Sequence, residues 1–175
     1  MSADSLLPDR HHLGPRGVGA PPDRRAGVAG LSVRRATLAD AARIAELSGA
    51  LGYPAEAAAI AGRLERLLPR AGEIVLVAAG EDGVAAGWIH AAEQELLESG
   101  SRCEILGLVV DADHRGRGAG RALVGAVEAW AAARGLALLT VRSNVVRAES
   151  HPFYERLGYL RTKTQHAYRK TLRQP

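Results

Sequence analysis

Residues 111–121 read Asp-Ala-Asp-His-Arg-Gly-Arg-Gly-Ala-Gly-Arg, three glycines set among three arginines. The apolar run 103–110 comes before them, and Leu123, Val127 and Trp130 follow at helical intervals up to Gly135. The order is therefore strand, glycine-rich turn, helix start. Glycines let the backbone come close to an anion, and the first N–H groups of a helix offer unpaired donors at the positive end of its dipole. A pyrophosphate suits such a cradle. A Walker A loop is excluded because no Gly-Lys-Ser/Thr follows, and a dinucleotide fingerprint because Gly116 and Gly118 would need a third glycine where Arg121 stands.

Other reactive side chains lie upstream. Cys103 and Glu104 are neighbours on the apolar run, and neighbours on a strand face opposite sides. If Glu104 looks into a cleft, Cys103 looks away, and no histidine close in sequence activates the thiol. Direct transfer chemistry is favoured over a cysteine-bound intermediate. A purely structural Glu104 would pair with Arg102 or Arg142. His90, near the end of its strand, is a second group able to take a proton. Glu93, Glu95 and Glu98 form a polar stretch, read as a loop, that would attract a cation.

These residues need a scaffold. Residues 31–36 alternate as a first strand, and Thr37 with Asp40 has capping-box spacing before Ile44, Leu47 and Leu51. Ile60, Leu64 and Leu67 or Leu68 make a second apolar stripe, stopped by Pro69 and Gly72. Segments 74–79 and 84–92 flank Glu81-Asp82-Gly83, a hairpin turn. The run 103–110 reads as a central strand, 137–141 as another buried strand, 149–157 as a short helix closed by Gly158, and 159–172 as one or two final strands.

Residues 115–120, Arg-Gly-Arg-Gly-Ala-Gly, resemble the acetyl-CoA motif of the GNAT acetyltransferases, Gln/Arg-x-x-Gly-x-Gly/Ala. A second block, Ser143-Asn144 and then Ser150-His-Pro-Phe-Tyr-Glu-Arg-Leu-Gly-Tyr159, resembles the family's Asn followed by Ala-x-x-Phe-Tyr-x-x-x-Gly-Phe; Ser150 and Tyr159 are the departures. The resemblance covers residues 31–172. It implies an α+β GNAT fold, a mixed and mainly antiparallel sheet opening at residues 109–110 with helices on both faces. It further implies that Arg115, Gly116, Arg117, Gly118, Ala119, Gly120 and Arg121 hold the CoA pyrophosphate, that Leu108, Val109 and Val110 pair with the pantetheine arm, and that Asn144 orients it. Glu104, eleven residues before Arg115, stands where one branch of the family has its general base. Tyr154 matches the tyrosine that serves the departing sulfur. The implied activity is acetyl transfer from acetyl-CoA to a primary amine in a ternary complex. The competing implication is an inactive CoA-binding sensory or interaction module, against which the presence of both Glu104 and Tyr154 argues.

Composition bounds the rest. The 175 residues suffice for one domain behind residues 1–30, whose Pro, Gly, Arg and Asp content reads as a disordered tail. No apolar block resembles a membrane span or a signal peptide, and the single cysteine excludes an internal disulfide and a Cys-rich metal site, so a cytoplasmic enzyme is expected. The net charge of +4 and the basic C-terminal stretch lack the interleaved aromatics of a nucleic-acid binder. A homodimer is compatible with the resemblance, although no residue pattern calls for one. The acceptor amine is not legible.

Overall fold

In the computed structural model, residues 30–50, 52–144 and 150–172 are described. Five strands follow one another across a single sheet in chain order: β1 (Ser32–Arg35), β2 (Glu73–Ala79), β3 (Ala85–Leu96), β4 (Gly100–Val110) and β5 (Leu139–Val141). The first four are antiparallel and β5 runs parallel to β4. The β2–β3 hairpin turns as its Asp-Gly predicts: Gly83 takes a positive φ of 76°, and the Asp82 carboxylate accepts the Val84 N–H at 3.0 Å.

Alternation divides the sheet into two faces. On one face Val75, Val77 and Ala85 pack under α1 (Ala41–Ala50) and α2 (Ala57–Leu67), which contribute Ile44, Ile60 and Leu64. On the other, Leu76, Ile89, Cys103 and Ile105 pack against α3 (Ala119–Ala133) through Leu123, Val124, Val127 and Trp130. Phe153 of α4 (Ser150–Arg156) and Leu157 after it join this second cluster. The expected α+β architecture, a mixed sheet with helices on both faces, is the one found. No helix among the described residues is long and apolar enough to cross a membrane.

Four local expectations are corrected. Glu93 and Glu95 belong to β3 and not to a loop: they pair with Cys103 and Ser101, and Glu93 accepts two hydrogen bonds from Arg134, at 2.6 and 3.0 Å. Strand pairing, which a polarity count does not see, extends the hairpin here. The sheet opens sooner than residues 109–110, because β5 pairs with β4 only from Cys103 to Ile105. β5 is half-buried, as an edge strand must be. Residues 159–172 form no strand; Leu160, Tyr168 and Leu172 are exposed, and the polar positions between them leave no apolar face to bury. Residues 1–29 of the expected tail, Leu51 and Glu149 lie outside the described residues.

Candidate active site

The glycine-rich turn leaves β4 through a one-turn 3-10 helix, Ala112–His114, opened by Asp111, whose carboxylate accepts the Asp113 N–H at 3.0 Å. Asp111 also pairs with Arg43 of α1, while Arg43 Nε–H donates to the Ala85 carbonyl at 3.0 Å, so α1, β3 and the end of β4 are tied together. Arg115 is then extended, and Gly116 and Gly118 take φ of 73° and 86°. This left-handed conformation costs a side-chain-bearing residue about 1–2 kcal/mol. Gly118 is the N-cap of α3, and no side chain caps that terminus. Complete burial of Leu123, Val124 and Val127, worth about 1.5–3 kcal/mol each, anchors the helix by packing instead. Its first N–H groups thus remain available to an anion. Arg115, Arg117 and Arg121 are exposed around them, with no acidic partner among the described residues.

Past Ile105, β4 keeps β3 on one edge and has no strand on the other among the described residues. Leu108, Val109 and Val110 lie on this free edge, which has the main-chain groups that an extended ligand pairs with. A bulge marks where the edge begins: His90 faces Gly107 and Ala91 faces Ile105, leaving Leu106 as the extra residue, half-exposed. From α4, Phe153 lies against Gly120, where an added Cβ would stand 3.2 Å from its ring. A side chain at Gly120 would therefore require the Phe153 ring to shift. Tyr154 meets Phe153 and Tyr159 edge-on, with centroids 5.1 and 5.6 Å apart. The main-chain carbonyl of Asn144, just after β5, accepts from His151 Nε2 at 3.3 Å.

Between α1, α2 and the β3–β4 bulge is a cavity of about 370 Å³. Ile44, Ile60, Leu64, Val75 and Leu106 line it, along with Trp88 and His90. Gly107 makes room for Trp88: a Cβ there would come within 2.8 Å of the indole. His90 Nε2 lies 2.5 Å from Glu73 Oε2, and Arg70 donates to the other oxygen at 3.1 Å. Burial pushes the Glu73 carboxyl up, but the hydrogen bonds from His90 and Arg70 outweigh it and hold it below its ordinary value. An ionised carboxylate only accepts, so Nε2 carries the hydrogen shared with Glu73, and Nδ1 is the other ring nitrogen.

Glu104 lies on the same face as His90, opposite Ala92 of β3, and is buried. Arg142 reaches both its oxygens, at 2.9 and 3.2 Å, and Arg102 donates at 3.3 Å. It is absent from the described cavity lining, whereas His90 is part of it. Cys103 points to the α3 core, and burial, with Glu93 and Glu104 nearby, pushes its thiol up to about 11. Sequence reasoning missed Glu73 and Trp88. Only the strand register brings Glu73 beside His90, and no local pattern encodes it.

The model of the acetyltransferase (GNAT) family matches residues 43–159. No curated protein matches the chain. Among solved structures, the aminoglycoside 6'-N-acetyltransferase AAC(6')-Ih from Acinetobacter baumannii is 18% identical with a TM-score of 0.72, over 82% of this chain and 99% of its own. AAC(6')-Iy in complex with the bisubstrate analog CoA-S-monomethyl-acetylneamine is 20% identical with a TM-score of 0.73, over 82% and 100%. Glucosamine-6-phosphate N-acetyltransferase from Arabidopsis thaliana is 20% identical with a TM-score of 0.69, over 81% and 99%. At these identities what is shared is the fold.

Proposed function

The chain belongs to the acetyltransferase (GNAT) family, and from that premise we propose that it moves the acetyl group of acetyl-CoA to a primary amine bound in the α1–α2 cavity. The observation that carries this reading is the continuity of cradle, free edge and cavity: the β4 edge runs from Val110, beside the cradle, back to the Leu106 bulge that lines the cavity. Residues 115–121 fit a pyrophosphate, and residues 106–110 fit an extended arm reaching from it. When bound, acetyl-CoA supplies the activated thioester.

The chain's own groups supply the rest. His90, held by ionised Glu73, takes the proton the amine loses as its nitrogen bonds to the acetyl carbon. Tyr154 serves the sulfur as the carbon–sulfur bond breaks, and Asn144 orients the arm. The buried, hard-to-ionise Cys103 supports direct transfer over an acetyl-cysteine. Glu104 is the second reading for the base; its face and its proximity in register to His90 favour it, and its arginine partners count against it. The cradle is tested by thermal melts with acetyl-CoA, since a ligand bound only by the folded state raises Tm. Gly118→Val should erase the ligand-induced rise. A rise equal to wild type removes residues 115–121 from cofactor binding.

A further inference from the structure

We infer that the acceptor is a primary amine on an apolar body that also carries a carboxylate, in chemical class an apolar amino acid. The inference rests on the cavity being the acceptor site, as proposed above. Its walls are aliphatic, from Ile44, Ile60, Leu64, Val75 and Leu106, with the exposed ring of Tyr53 at its margin. Such walls receive a hydrocarbon or aromatic group and leave most hydroxyls of a sugar without a partner.

One cationic donor interrupts that surface. Trp88 contributes its ring to the lining, while its Nε1–H is buried away from the open space and has no hydrogen-bond partner among the described residues. Arg63 of α2 also lines the cavity, is exposed, and has no acidic partner among the described residues. A guanidinium only donates and is cationic, so the matching group on the acceptor is an oxygen carrying negative charge. His90 in the same lining meets the amine. No described lining residue is an aspartate or glutamate. A polyamine or an aminoglycoside would therefore place several ammonium groups here with only the Glu73 carboxylate nearby, itself already taken up by His90 and Arg70. Specificity arises as much from that scarcity of acid as from the donor present.

Calorimetric titration of the full chain, with CoA present, tests this without requiring turnover. Leucine and phenylalanine are compared with isopentylamine and phenethylamine, which keep each body and lack the carboxylate, and with spermidine. The amino acids should bind about tenfold or more tighter than their amines, and spermidine more weakly still. Arg63→Gln, at an exposed position, should erase the preference and leave binding of the amines near wild type. Equal or tighter binding of the amines or of spermidine overturns the inference, as does a preference that survives Arg63→Gln. Amino acids that bind but are never acetylated would sink the transfer reading and leave this one standing. Acetylation of other amines with no binding of amino acids would do the reverse.

Discussion

Replacing His90 with glutamine keeps a hydrogen-bonding side chain beside Glu73 while removing the proposed proton acceptor. His90→Gln should therefore lower kcat by roughly 10²–10⁴-fold and leave the acetyl-CoA melt shift unchanged. The loss should shrink as pH rises, because a larger share of the amine is already neutral. Glu104→Gln should keep most of its turnover, since its carboxylate is taken up by Arg102 and Arg142. If the pH-rescued loss appears in Glu104→Gln and not in His90→Gln, the base is Glu104. The family resemblance named Glu104, Tyr154 and the glycines as candidates, because motif positions are local. They could not reveal Glu73, which is 17 residues from His90 and meets it only through the β2–β3 register.

At the scale of elements, Asp40 joins β1 to the start of α1. Arg34 donates to both its oxygens at 2.8 Å, and the Thr37 N–H adds a third bond at 2.8 Å. The hydrogen bonds from Arg34 hold the Asp40 carboxyl below the carboxylate range against the opposing effect of burial. A depressed folded pKa adds stability that is complete above the unfolded value of about 3.9 and lost as pH falls through the folded one. Asp40→Asn should lower Tm at neutral pH and flatten the fall in Tm below about pH 4. Melts of both proteins from neutral to strongly acid pH check this, and parallel acid declines would show that Asp40 does not contribute. The helices and the Asp-Gly hairpin were readable because periodicity and turn chemistry are local signals. The Leu106 bulge, the three-residue β5 and the early opening of the sheet were not, because each depends on which strand lies alongside. The strands expected over residues 159–172 show the same limit: residues of strand-forming type do not pair without an apolar face to bury.

For the molecule as a whole, two motif blocks more than twenty residues apart were sufficient to anticipate the fold, because the elements between them recur in one order. The acceptor was not anticipated, since the cavity proposed for it draws on α1, α2, β2, β3 and β4 together. The central claim is that one acetyl group passes from acetyl-CoA to one amine. It is tested most directly by quantifying free CoA thiol and acetylated amine in the same sample of full-length protein, across apolar amino acids, simple amines and polyamines. The two products should rise together in equal amounts for at least one amine, and both should fall in parallel in His90→Gln. Tight acetyl-CoA binding with thiol release no faster than without amine, for every acceptor, would contradict catalysis and mark the chain as a CoA-binding module.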